Sequence, residues 1–468
     1  MKFISTRSLA PAINFEEVVL QGLASDGGLY VPEFLVQFDE KKLQELKKLS
    51  YQDLFFEVTK HFVDNEISSA DYKKIINKSY LNFAHQAIAP LKQLDGNHFL
   101  LELFHGPTLA FKDFALQFLG NLLDYFLQQR NQKAVVVGAT SGDTGSAAIQ
   151  GCLNCHNLQI FILHPHQKVS EVQRRQMTSV IADNVFNLAV EGNFDDCQAL
   201  VKKMFSDESF LKGKKMVAVN SINFARIMAQ IVYYFYSALR VGCGSKNPIS
   251  FSVPSGNFGD IYAGYLAKRM GLNINKLIIA TNSNDILVRF IDNNDYSKKT
   301  MVETISPSMN IQVASNFERL LFDSYRNFKK DLKVGELMHE FERTHLLKVS
   351  DEVHKKIQQD FSAYCIDDDL TGQTLKKYFD KTSEILDPHT AIGVCATEKF
   401  MASENYQGEI VITLATAHPA KFSDAVEKSI AQKPQLPNFL NDLMNKKEQF
   451  EVIINNLETV KNYITQRV

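Results

Sequence analysis

No stretch of this 468-residue chain is both long and apolar enough to cross a bilayer. The most apolar run, Ala229 to Leu239, is broken by Gln230 and Ser237 and falls short of the roughly 18–20 residues that a spanning helix needs. Charge of one sign is not in excess either: 51 Lys and Arg against 53 Asp and Glu leave a net charge of −2. With no basic block interleaved with aromatics, nothing draws the chain to nucleic acid or to a membrane surface, and neither is expected as a partner. No apolar core of the export-signal kind precedes Glu16 and Glu17, and the six cysteines are too scattered for a disulfide framework. A cytoplasmic protein with reduced thiols is expected. Repeats, low-complexity tracts and proline-rich linkers are also lacking.

What is there is ordinary globular composition, 45% apolar and 22% charged. The length exceeds the roughly 250–300 residues at which single cores stop growing, so two or three domains are expected. After a turn at Ser25-Asp26-Gly27-Gly28, Asp39 to Ile76 carries apolar residues at helical spacing and reads as a mainly helical N-terminal region, residues 1–95. From Asn97 onward, short apolar or β-branched runs alternate with Gly- or Ser-rich loops and helical stretches, the pattern of an α/β fold with largely parallel sheets. Candidate strands are 134–137, 159–163, 216–219, 249–253, 277–280 and 410–414. The expected lobes are 96–235 and 236–468, with a polar surface excursion at 292–303 and a charged, helical tail at 437–468.

Three strand-to-helix loops stand at strand ends where such folds bind ligands, the third being ATAHPAKF after the run at 410–414. Gly138-Ala-Thr-Ser-Gly-Asp-Thr-Gly145 combines glycines with hydroxyls at a helix start, a cradle for an anion, and matches neither a P-loop nor G-x-G-x-x-G. The alternative is a tight turn whose hydroxyls merely cap the helix. Pro254-Ser-Gly-Asn-Phe-Gly-Asp260 is a second cradle, or else a turn capped by Asn257. Two cradles suit one cofactor phosphate and one substrate anion.

Between them in the argument stands Lys112, flanked by Leu109, Ala110, Phe111 and Phe114. Apolar surroundings disfavour a charged ammonium, which is the condition for a lysine to act as a nucleophile. The bland alternative is a surface lysine paired with Asp113. Cys152-Leu-Asn-Cys155-His156 matches the haem-attachment spacing, but it lies where a helix should end, and no second ligand pair completes a zinc site; both cysteines read as structural and no metal is expected. His164 and His166 read as loop residues.

The motifs HGPTLAFKDFALQF, GATSGDTGSAA, SGNFGD and LATAHPAKF together resemble the threonine synthase family, in its longer branch with an extra N-terminal region. The likeness extends through STR, LQGLASDGGLYVPE, HPHQKVSEVQRRQMTS, NSINFARIMAQ, QVASNFERLLF and DPHTAIGV, with departures at Ser8, usually Gly, and Asn310, usually Asp. The resemblance implies a two-lobed, fold type II-like core binding pyridoxal 5'-phosphate, and conversion of O-phosphohomoserine and water to threonine and phosphate.

By the same resemblance, Lys112 is the Schiff-base lysine, and Gly256, Asn257, Phe258, Gly259 and Asp260 hold the cofactor phosphate. Thr416 faces the pyridine nitrogen and Asp143 meets the ring hydroxyl. Thr140, Ser141, Gly142 and Thr144 receive the substrate carboxylate, while Asn220, Ser221 and Arg226 receive its phosphate. A monomer or homodimer is expected. A related serine/threonine dehydratase or sulfhydrylase would share the lysine and the Gly loops without needing Arg226, and a catalytically silent binding protein on the same fold is the remaining alternative. Arg226 could also be a plain structural ion pair on the helix after Asn223.

Overall fold

Two largely parallel sheets organise the chain. The computed structural model describes residues 1–207, 209–211, 213–218, 220–327 and 334–468. The larger sheet runs in the order Phe361–Cys365, Ile274–Thr281, Ile249–Pro254, Ile410–Ala415, His98–Glu102 and Leu91–Asp95. Its neighbours are parallel except the last two, a hairpin closed by Gly96-Asn97. The smaller sheet is parallel throughout: Glu451–Ile454, Val185–Glu191, Leu158–Pro165, Ala134–Ala139 and Lys215–Val217. The mainly apolar runs at 134–137, 159–163, 249–253 and 410–414 belong to strands covered on both faces, and their side chains are almost all buried.

All six expected strands are found, the one at 216–219 shifted to Lys215–Val217, with Val219 itself outside the described residues. The tail needs correction. Glu451–Ile454 is an edge strand beside Val185–Glu191, and only Leu457–Thr465 is α-helical in the tail, because the β-branched run Val452-Ile453-Ile454 fits a pleated edge. Three strands also sit across the expected boundaries. Leu91–Asp95 and His98–Glu102 lie in the larger sheet and Glu451–Ile454 in the smaller one, so the chain crosses between the lobes.

The N-terminal region forms helices Phe15–Gln21, Glu40–Leu46, Tyr51–Val63 and Ser69–Tyr80. Each is opened by a side chain, from Asn14, Asp39, Ser50 and Ser68, that accepts from a backbone N–H three residues on. Their aromatic faces close on two long helices of the core, Phe62 against Phe224, Tyr51 against Phe114 and Phe55 against Phe118. The apolar run 229–239 is therefore the middle of a buried helix, Phe224–Arg240. Among the described residues no helix is long and apolar enough to cross a membrane. Ser8 has φ 62°, the left-handed conformation for which glycine is the usual choice, so the family's glycine there has a backbone reason.

Candidate active site

A cleft of about 1890 Å³ opens where strands of both sheets end, and every residue expected to meet cofactor or substrate, except Gly142, lines it. Parallel sheets bind ligands at the carboxyl ends of their strands because helix N-termini gather there. Gln21, Gly22 and Leu23 bring the N-terminal region into the wall.

Lys112 is the first residue of helix Lys112–Gln129, and its Nζ donates to Asp143 Oδ2 at 3.0 Å while standing over the Phe111 ring at 4.9 Å. Its surroundings are thus apolar on one side only, a correction to the expectation from its neighbours in sequence. The pairing with Asp113 is not made. Asp113 is buried and accepts from the Thr108 backbone and hydroxyl, both at 2.8 Å, and burial pushes its carboxyl up to about 6 against those hydrogen bonds.

Asp143 opens helix Asp143–Cys152 and sits among donors. Oδ2 also accepts from Ser308 Oγ at 3.1 Å; Oδ1 accepts from Gln173 Nε2 at 2.8 Å and lies 3.3 Å from Lys421 Nζ. Burial alone would push this carboxyl up, but the charges of Lys112 and Lys421 and the Gln173 amide hold it well below the usual carboxylate range.

The first loop is braced from within. Thr140 Oγ1 accepts from the amides of Gly142 and Gly145 at 2.9 and 2.8 Å, and Gly142, at φ 140°, has Gln173 atoms 2.5 Å from where a Cβ would sit. Thr140 is therefore a structural brace as well as a cleft residue, and two amides of the cradle are already used. Ser141 and Thr144 are the hydroxyls the loop leaves toward the cleft.

The second loop is not capped by Asn257. Helix Gly259–Arg269 begins after Phe258 with no side-chain cap, so its first-turn amides, which have no partner inside the helix, are left for an anion. At Gly256 a Cβ would lie 2.7 Å from the Ser308 carbonyl, so no larger residue fits this turn. Phe258 adopts φ 64° and turns its ring into the core against Phe317 and Phe361, contributing backbone alone. Asp260 accepts from Tyr233 and Tyr234 on Oδ1 at 2.5 and 2.9 Å, leaves Oδ2 unpartnered, and is pushed up to about 6 by burial.

Among the described residues Arg226 makes no ion pair. It is buried on helix Phe224–Arg240, its Nε and Nη1 have no partner there, and burial lowers it to about 10. A buried guanidinium without a counter-charge has the donors to receive an anion. The neighbouring framework was not foreseen in the sequence. Asn316 Nδ2 donates to the carbonyls of Asn257 at 2.9 Å and Ser221 at 3.2 Å, tying the second loop to the segment before Arg226. Buried Arg319 in turn donates to Asn316 Oδ1, to the Ile222 carbonyl at 2.6 Å and to the Tyr30 carbonyl of the N-terminal region at 3.1 Å. Both residues lie in the quoted motif QVASNFERLLF, so the signal was present without a role attached. Asn310 donates to Glu303 at 3.1 Å, a contact an aspartate could not make.

Lys112 offers an amine for a carbonyl, the loop at 256–260 a tight, amide-lined cradle, and Thr416, buried just past strand Ile410–Ala415, a hydroxyl. This donor set fits pyridoxal phosphate, and fold and cleft together define a pyridoxal-phosphate-dependent enzyme. Residues 85–345 match the family model of that description. Residues 2–80 match the threonine synthase N terminus and residues 390–464 the threonine synthase C-terminal model. The chain belongs to the threonine synthase family. It is 53% identical to a Pseudomonas aeruginosa threonine synthase, over 100% of this chain and 98% of that one. To the Saccharomyces cerevisiae threonine synthase it is 44% identical, over 99% and 97%. The crystal structure of a threonine synthase with bound pyridoxal phosphate from Brucella melitensis superposes with a TM-score of 0.96 at 47% identity, over 100% of this chain and 99% of that one.

Proposed function

We propose that this enzyme converts O-phosphohomoserine and water into threonine and inorganic phosphate, the last step of threonine biosynthesis. When bound, pyridoxal phosphate supplies the electron sink that makes removal of a proton from substrate carbon feasible. Lys112 is the residue that anchors it and moves protons at the substrate's Cα and Cβ. Asp143 holds Lys112 in place and meets the cofactor's ring hydroxyl, and Thr416 faces the pyridine nitrogen with a hydroxyl in place of a carboxylate. The amides from Gly256 to Asp260 hold the cofactor phosphate.

Thr140, Ser141, Gly142 and Thr144 bind the substrate carboxylate. Asn220, Ser221 and Arg226 bind its phosphate before and after the bond to Cγ breaks, and water then adds at Cβ. The observation that carries this reading is the unpartnered, buried guanidinium of Arg226 in the same cleft as Lys112. A dehydratase or sulfhydrylase acting on an unphosphorylated amino acid would leave that cation uncompensated, and a silent binding protein would not need Lys112. Cytoplasmic location, a monomeric or homodimeric state, and division into 1–95, 96–235 and 236–468, with the strand exchanges described, complete the proposal. Its test is incubation with O-phosphohomoserine while phosphate and threonine are measured together.

A further inference from the structure

Lys421 lies in the short turn Pro419–Phe422 beyond strand Ile410–Ala415, and its side chain is wholly buried. Its ammonium has three protons and three acceptors. It donates to the Thr108 carbonyl and to Gln176 Oε1, both at 2.6 Å, and stands 3.3 Å from Asp143 Oδ1. These partners come from the loop before Lys112, from helix Glu171–Thr178 and from the start of helix Asp143–Cys152, so one cation draws three parts of the site together. Burying an ammonium is expensive unless its partners repay the cost, and an apolar side chain would fill such a space more cheaply.

Asp143 explains why a charge is kept there. Its two oxygens face two different lysines, Lys112 on one side and Lys421 on the other. A lysine that takes a proton from carbon begins that step as a neutral amine. At that moment Asp143 would lose one of its two cations while remaining buried, and a buried carboxylate without a cation takes up a proton. We propose that Lys421 is a positioning residue for this reaction, the standing counter-ion that keeps Asp143 a carboxylate, with Oδ2 turned to Lys112, when Lys112 itself is neutral. The inference rests on Lys112 being the cofactor lysine. The other charged or titratable groups facing this pair are Asp113 and His418 toward Lys421, the imidazole lowered to about 4 by burial, and His389 toward Asp143.

The test uses holoenzyme of four kinds: wild type, Lys421→Met, Asp143→Asn and the double variant. The pH dependence of kcat for O-phosphohomoserine is measured for each. Lys421→Met is expected to move the acid limb of kcat upward, so that the loss relative to wild type grows by about 10-fold or more between pH 8 and pH 6. In the Asp143→Asn background the same substitution should leave the limb where it was and cost less than about 2-fold further. An equal shift or an equal loss in both backgrounds would make Lys421 a purely structural residue, or one acting through Asp113, and would overturn the proposal. Lys421→Gln serves if Lys421→Met does not fold, since its amide can still donate to the Thr108 carbonyl but carries no charge. A wild-type acid limb in that variant also overturns the proposal. Borohydride reduction of the same preparations separates the two readings. Label on a lysine other than Lys112 removes the underlying assignment, whereas label on Lys112 with an unmoved acid limb removes only the role of Lys421.

Discussion

Lys112 and Asp143 are each the first residue of a helix, and the two meet at 3.0 Å in the cleft. A helix N-terminus favours an anion and disfavours a cation, so the two positions are electrostatically unlike: Asp143 is supported by its own helix and Lys112 is opposed by its own. The pair is therefore held by Asp143 and can be released by Lys112, which suits the proposed role of Lys112 as the cofactor lysine.

Replacing Lys112 tests this directly. Lys112→Ala is expected to abolish turnover with the fold intact, because the lost amine is chemical and not part of the packed core. Borohydride reduction of wild-type holoenzyme should place the cofactor's mass on the peptide containing Lys112. A labelled peptide elsewhere in the chain would contradict the assignment.

Arg226 should trade stability for function. Its unpartnered nitrogens cost the unliganded protein free energy, so Arg226→Met is expected to raise the thermal midpoint of cofactor-free protein. The same change should lower kcat/KM for O-phosphohomoserine by roughly one and a half to three orders of magnitude, the usual effect of losing a charged donor to a reacting phosphate. Cofactor affinity, which depends on the separate loop at Gly256 to Asp260, should change far less. A lower midpoint together with an unchanged preference for the phosphorylated substrate over homoserine would take Arg226 out of the site.

How much of this was legible in the sequence follows from distance along the chain. Strands such as 134–137 and 277–280 are readable because burial on both faces leaves an unbroken apolar run, and the loops at 138–145 and 254–260 because glycines and hydroxyls cluster right after a strand. Val185–Glu191 and Phe361–Cys365 mix polar residues into their runs and were not singled out. Lys112 stands out from its apolar sequence neighbours, and Asp113, one residue away, is the only partner its own segment offers, whereas the fold supplies Asp143 from the next helix. The Arg319–Asn316 framework depends on carbonyls of Tyr30, Ile222, Ser221 and Asn257, and a backbone acceptor leaves no trace in residue type.

Asp260 predicts a pH signature of stability. Its carboxyl is pushed up to about 6 in the folded protein from an ordinary 3.8, so the folded state binds the proton more tightly than the unfolded chain does. That contribution is fully present below about 4 and is lost as the pH rises through about 6. Asp260→Asn should therefore flatten the fall of the thermal midpoint across this window relative to wild type. Identical slopes for the two proteins would show that the group does not titrate there.

Thr416 is expected to tune the cofactor without acting as a base. Thr416→Asp places a carboxylate where the pyridine nitrogen is proposed to lie, which favours a protonated ring. The visible spectrum of the holoenzyme should shift, and products should move away from threonine toward by-products. An unchanged spectrum and product ratio would mean that Thr416 lies elsewhere relative to the ring.

In the proposed reaction one cleft removes phosphate from Cγ and adds water at Cβ of the same molecule. Holoenzyme is incubated with O-phosphohomoserine, and phosphate and threonine are followed in the same samples. The two should appear together in equal amounts from the start of the reaction. Phosphate released without matching threonine, or no phosphate while serine or threonine is consumed, would contradict it.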